Sequence, residues 1–329
     1  MRDRLIDGYR GVAVLCVVAA HSFAYRFAPP GPLQRLAEPL AEMGVQLFFV
    51  ISGYIITTLL IREEEREGRI SIPAFYARRF FRILPPLFAY YAALFLMMAF
   101  GIIAFEPSTV ANSAFFTCNT GLTDCQWWVA HTWSLAVEEQ FYLAWPLLLT
   151  LLHRRALWLA VSIAALLAVY LAVPHQFHSN WISFSCIAAG ALYATNASVR
   201  DRIAALASYA AWIGAVAVFV AVPFIGFKLS VLTPLLVVYI LFAARQLPVV
   251  VKILEAGPLN AVGLCSYSLY LWQQAFLASP LQYVAEPLAL ALLPPVVLAS
   301  YLFIEKPFGR VGHLLSARLK SGRVRNAEA

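Results

Sequence analysis

Long apolar stretches alternate with short polar breaks along almost the whole chain. Runs long enough, or nearly so, to cross a hydrocarbon layer of about 30 Å fall at residues 11–28, 44–61, 85–104, 134–152, 156–173 and 181–195. Four more follow at 206–224, 229–247, 261–279 and 285–304. A segment without access to water must satisfy its backbone groups internally, which a helix does. The pattern therefore predicts an all-α integral membrane protein, a bundle of about ten transmembrane helices. No soluble-looking block longer than about thirty residues interrupts it. A single transmembrane domain over 1–329 is expected, with no appended soluble catalytic domain.

Composition and charge agree with that picture and orient it. Of 329 residues 62% are hydrophobic and only 12% charged, about half the charge of an ordinary globular domain. The net charge of +7 would fit a nucleic-acid binder, but its distribution argues against one. With the N-terminus inside, 21 of the 24 Lys and Arg residues fall in inner segments, and only Arg26, Arg35 and Lys228 fall outside. That asymmetry is the positive-inside signature. It predicts both termini in the cytoplasm of a multi-pass protein of the cell (inner) membrane, with lipid rather than nucleic acid around it. The first segment has the charged start and apolar run of a signal peptide, yet no A-x-A pattern follows and His21 and Arg26 interrupt its exit, so it is expected to stay.

Ionisable groups inside these spans are the candidates for chemistry, because each costs roughly 3 kcal/mol even on lenient insertion scales. Arg10 and His21 share the first span. Eleven residues at about 100° each return to within roughly 20° of the same face, and separate the two side chains by about 16 Å along the axis. An imidazole at that depth can accept a hydroxyl proton at neutral pH; its bland alternative is a histidine satisfied by a neighbouring helix. In H-T-W-S-L-A-V-E-E-Q-F-Y-L-A-W-P, residues 131–146, Ser134, Glu138 and Tyr142 recur every four residues and so share a helix face. Trp133 suits an outer aromatic belt. Counted from that boundary, Glu138 lies about 7 Å deep, and counted from the outer end of its own span, His21 lies about 9 Å deep. A carboxylate at a matching depth is expected to orient the imidazole or stabilise its protonated form. Glu139 faces about 100° away and reads as structural.

Other groups are less specific. Gln46 offers a polar side chain near the outer end of the second span, and Ser52 and Gly53 would let a neighbouring helix approach. Ser266, Tyr267, Tyr270 and Gln273 are polar handles on the ninth span. Arg78, Arg79 and Arg82 precede Pro85-Pro86, which reads as the opening of the third span. Such a juxtamembrane cluster either anchors to anionic headgroups or clamps the phosphates of a cytoplasmic cofactor, since guanidinium binds phosphate bidentately. Cys118 and Cys125 flank N-T-G-L-T-D in the longest outer loop, where a disulfide is chemically reasonable. Cys16, Cys186 and Cys265 read as small hydrophobes inside spans. There is no glycine-rich phosphate loop, no H-E-x-x-H and no Cys/His metal spacing, and hence no metal is expected.

Taken in order, R-G-V-A-V-L-C-V-V-A-A-H, F-F-V-I-S-G-Y, Y-A-R-R-F-F-R-I-L-P, W-S-L-A-V-E-E-Q-F-Y-L-A-W-P, S-Y-S-L-Y-L-W and the closing I-E-K-P resemble the integral-membrane acyltransferase family 3. The resemblance covers nearly the whole chain. It implies a membrane O-acyltransferase that moves an acyl group, most often acetyl, from acyl-CoA to a sugar hydroxyl of a surface polysaccharide or glycoside. On this reading Arg10, Arg78, Arg79 and Arg82 meet the nucleotide end of the donor. His21 removes the acceptor proton or carries the acyl group, with Glu138 beside it and Arg10 at the far end of the path. Ser134, Tyr142, Trp133, Gln46, Tyr270 and Gln273 line the substrate. Two departures stand out: Gln46 where the family often has an acid, and Gln273 where it tends to have histidine. Each removes a titratable group and keeps a hydrogen-bonding one. The competing class is a proton-coupled transporter or flippase in which His21 and Glu138 form a relay.

Overall fold

The computed structural model describes residues 3–22, 32–172, 178–277 and 286–325, and among them there are helices but no strands. In chain order they are α1 (Arg4–Ser22), α2 (Pro32–Glu67), α3 (Ile72–Ala99), α4 (Pro107–Ala114), α5 (Trp127–Ala130), α6 (Thr132–Leu151), α7 (Arg155–Ala172) and α8 (His178–Thr195). Then come α9 (Ala197–Ala205), α10 (Tyr209–Ile225), α11 (Thr233–Ala243), α12 (Pro248–Leu254), α13 (Gly257–Leu264), α14 (Ser266–Leu277), α15 (Glu286–Ser300) and α16 (Lys306–Arg325).

Helix overlaps each of the ten expected stretches, but not each is one clean crossing. Six helices among the described residues are long and apolar enough to span, or seven if α8 and α9, bent by 94°, count as one broken span. The bend falls at Asn196, whose side chain accepts from the Val199 amide and caps α9. The expected 261–279 span is divided at Cys265 into α13 and α14. Residues 23–28, 278–279 and Arg26 lie outside the described residues. Large apolar side chains such as Trp158, Ile213, Phe224, Leu235 and Phe303 remain exposed on the flanks, as a lipid-facing surface requires.

The third helix corrects the sequence reading of its start. It begins at Ile72 with Pro73 in its first turn and runs straight through Pro85 and Pro86. A proline at the first turn replaces an amide that had no partner anyway, and membrane helices tolerate interior prolines because neighbours absorb the freed carbonyls. Beside the prolines, the Ile83 carbonyl accepts from the Tyr267 hydroxyl of α14 at 2.8 Å. Arg78, Arg79 and Arg82 are therefore helical residues with defined faces rather than a cluster that precedes the helix.

Helix α2 lies at the centre, packed between α1 and α8, while α1 also packs on α13 and α14, and α3 on α16. Glycines let α2 and α8 cross closely: a Cβ at Gly53 would overlap the Ile187 carbonyl, and one at Gly190 the Val50 carbonyl. The segment between α3 and α6 folds back into the bundle rather than staying on its surface. Trp128 and Val129 are buried, the Tyr90 hydroxyl donates to the Trp128 carbonyl at 2.7 Å, and Thr132 is buried against Ser113. Cys118 and Cys125 are joined by a disulfide with Cα atoms 5.6 Å apart, and Asn119 and Gln140 exchange a reciprocal pair of amide bonds. Both tie this segment to itself and to α6. Cys16, Cys186 and Cys265 are free thiols.

Candidate active site

A cavity of about 160 Å³ opens between α1, α2, α3, α6 and α14. Three cations line it: Arg10 from α1, and Arg79 and Arg82 from α3. Arg79 and Arg82 are three residues apart, which puts them on one helix face. The Arg79 guanidinium sits over the Tyr142 ring, 4.9 Å from its centroid, with the Phe75 ring 5.9 Å away. Arg10 and Arg82 are within electrostatic reach of each other and of Glu305. Three arginines facing one space are held by anions. Some are built in: Asp7 lies 3.8 Å from Arg10, and Glu138 and Glu305 lie nearby.

Glu138 is at this arginine end of the cavity. Its carboxylate accepts from the Ser52 hydroxyl and faces Arg79, Arg10 and Arg82. Since Ser52 has one proton and gives it to the carboxylate, its oxygen accepts from Tyr142, to which it is also hydrogen-bonded. The expected pairing of Glu138 with His21 is thus replaced by a Tyr142–Ser52–Glu138 chain. His131, Thr132 and Ser134 at the start of α6 are buried, and Glu138 and His21 face different neighbours: the arginines for one, Gln273 for the other. Trp133 itself is half-buried, edge-on to Phe49 at 6.1 Å between ring centroids.

His21 has a different partner. Its Nδ1 is 2.6 Å from Oε1 of Gln273. Gln273 Nε2 donates to Gln274 Oε1 at 3.4 Å, and Gln274 Nε2 donates to the Trp127 carbonyl at 2.8 Å. A backbone carbonyl can only accept, so the chain has one direction: Trp127 O orients Gln274, Gln274 orients Gln273, and Gln273 accepts from Nδ1–H of His21. That places the imidazole lone pair on Nε2. The Gln273 amide oxygen does here what a carboxylate does in a base–orienter pair, without carrying charge.

The other expected residues divide. Ser134, Tyr142 and Tyr270 line the cavity; the Ser134 and Tyr270 hydroxyls are 2.7 Å apart, and both reach the His131 carbonyl. Arg78 is turned elsewhere, donating to Glu63 at 2.9 Å and to Ser316 at 2.5 Å, while Lys320 of α16 takes the other Glu63 oxygen at 2.9 Å. Gln46 is buried and donates to Glu42 at 3.1 Å on its own helix. Two cavity residues, Ser52 and His131, and one acid near the arginines, Glu305, escaped the sequence reading as site members. Ser52 was assigned to packing. His131 stands at the head of a motif whose signal was carried by Glu138. Glu305 is the buried residue of a π-helical turn, Tyr301–Glu305, where it accepts from Ser268 at 2.8 Å; an acid near the end of the last apolar run was its signal.

With this geometry in place, the class can be stated. Residues 3–304 match the family described as acyltransferase domain, and the chain belongs to that family, acyltransferase family 3, whose members are transferase enzymes. It is 28% identical over 93% of its length to the O-acetyltransferase OatA of Staphylococcus aureus, of which it covers 57%. It is 24% identical over 94% of its length to the peptidoglycan O-acetyltransferase OatA of Listeria monocytogenes, of which it covers 56%. The chain thus spans a little over half the length of these relatives. No solved structure matches it.

Proposed function

We propose that this chain is a multi-pass membrane O-acetyltransferase of ten crossings with both termini in the cytoplasm, transferring acetyl from acyl-CoA to a hydroxyl of a surface polysaccharide. The peptidoglycan named for the Listeria relative is the first acceptor to try. The observation that carries the reading is the directed hydrogen-bond chain from Trp127 to Nδ1 of His21, which supports Nε2 as the atom that removes the acceptor proton. Arg10, Arg79 and Arg82 would hold phosphates of the donor's nucleotide, and Glu138 and Glu305 keep those arginines in place. The donor's pantetheine arm then covers the roughly 16 Å that separates Arg10 from His21 along α1. A cavity of about 160 Å³ is close in size to one that accommodates a benzene-sized molecule, which supports a short acyl group.

The test uses the purified chain in detergent with acetyl-CoA and peptidoglycan fragments, reading CoA release and ester formation. His21→Ala should fold as wild type and lose at least about 10²-fold in transfer, the usual contribution of a general base. If no acceptor consumes the thioester while the protein supports proton-coupled flux, the transporter reading replaces this one.

A further inference from the structure

His131 closes the turn between α5 and α6 and is 5% exposed. Its backbone carbonyl is well supplied: the Tyr270 hydroxyl lies 3.0 Å and the Ser134 hydroxyl 3.2 Å from it. Its ring is not. Neither Nδ1 nor Nε2 has a hydrogen-bond partner, although both are buried. Leaving a buried donor or acceptor unsatisfied costs about 1–3 kcal/mol, and an apolar side chain of the same size would avoid that cost. The ring is held by shape, edge-on to Tyr90 at 5.7 Å and tilted against Tyr270 at 5.6 Å between centroids. It lines the same cavity as Arg10, Arg79 and Glu138, and lies close enough to His21 for the two imidazoles to interact electrostatically. An imidazole in a cavity wall, with its ring held by its neighbours and its polar atoms unmatched, has a hydrogen bond to give to a group that enters the cavity.

We propose that His131 is a further catalytic residue, whose ring N–H donates to the acyl carbonyl oxygen of the thioester and holds the negative charge that develops there. The inference rests on the acyltransferase reading above. In the step it serves, the acceptor hydroxyl oxygen forms a bond to the thioester carbonyl carbon while His21 Nε2 takes the hydroxyl proton. The carbonyl electron pair moves onto oxygen beside His131. When it returns, the carbon–sulfur bond breaks, and the proton held by His21 ends on the departing thiolate. Products are the ester and the free CoA thiol, and His131 is unchanged. The carbonyl supplies the missing acceptor for one ring nitrogen, and the neutral ring has one N–H to give.

The experiment compares wild type with His131→Phe, which keeps the ring volume, and His131→Asn, which restores a side-chain N–H. Each is assayed with acetyl-CoA and peptidoglycan fragments, alongside thermal unfolding. His131→Phe should lower kcat by about 10²–10³-fold, as loss of one oxyanion donor does, with KM for acetyl-CoA within a few-fold. His131→Asn should recover part of the loss. If His131→Phe does not fold, His131→Asn against His131→Ala carries the same comparison. Wild-type kcat in a folded variant without the N–H, or a loss that appears only in KM, overturns the inference. A wild type that releases no CoA with any acceptor instead removes the underlying reading, and the inference with it.

Discussion

At the scale of single residues, the informative exchange is Gln273. Where a titratable orienter would add charge beside His21, a neutral amide fixes the same tautomer through Oε1 at 2.6 Å. Its own orientation is imposed by Gln274 and the Trp127 carbonyl. Gln273→Leu removes the acceptor and lets the ring proton move to Nε2, where the lone pair is needed. Transfer should fall by about 10²–10⁴-fold, the range spanned by general-base catalysis, with little change in KM for acetyl-CoA; a steady-state comparison with wild type reads it. Gln273→Glu should retain more activity than the leucine variant, because a carboxylate also accepts from Nδ1–H. Equal losses in both would mean that Gln273 matters only for packing.

At the scale of elements, α3 shows how one helix splits three similar residues between two tasks. Arg79 and Arg82 face the cavity, whereas Arg78 joins α3 to Glu63 of α2 and Ser316 of α16. Arg79→Ala should raise KM for acetyl-CoA by about 10–100-fold, from the loss of charged hydrogen bonds worth about 1.5–3 kcal/mol, and leave thermal stability nearly unchanged. Arg78→Ala should do the reverse. Glu63 is only 4% exposed on its side chain and retains Lys320 and the Ser71 amide, so the cost should be about 1–3 kcal/mol of stability with KM unaffected. Thermal unfolding and steady-state kinetics on both variants separate the roles. The linear pattern could not assign them, because with the helix start placed at the prolines the three arginines had no faces to distinguish.

At the scale of the whole molecule, the proposed ten crossings predict that Arg154 and Lys228 lie on opposite sides of the membrane. Single cysteines at these positions, in a background without the native free thiols, should react with an impermeant maleimide from the inner side only at 154 and from the outer side only at 228. Labelling of both from one side would overturn the topology. On the proposed topology the disulfide between Cys118 and Cys125 would lie on the same outer face as Lys228, where an oxidising exterior would preserve it.

The amino-acid sequence by itself determined what depends on local pattern. Apolar periodicity and charge asymmetry defined helices over each expected stretch, and the ordered motifs identified the acyltransferase family and pointed to Arg10, His21, Glu138 and the arginines of α3. The glycine at position 53 was legible as a close-approach site, and α8 does meet α2 there. Which of these groups meet was decided only by tertiary structure. Spacing along one span gives a face and a depth but not the neighbour that the face meets. Packing sets Glu138 against the arginines, His21 beside Gln273, and His131 in the cavity wall. Partners in such a site come from helices as much as 252 residues apart in the chain, and the packing that joins them is a property of volumes and crossing points rather than of any one segment's pattern.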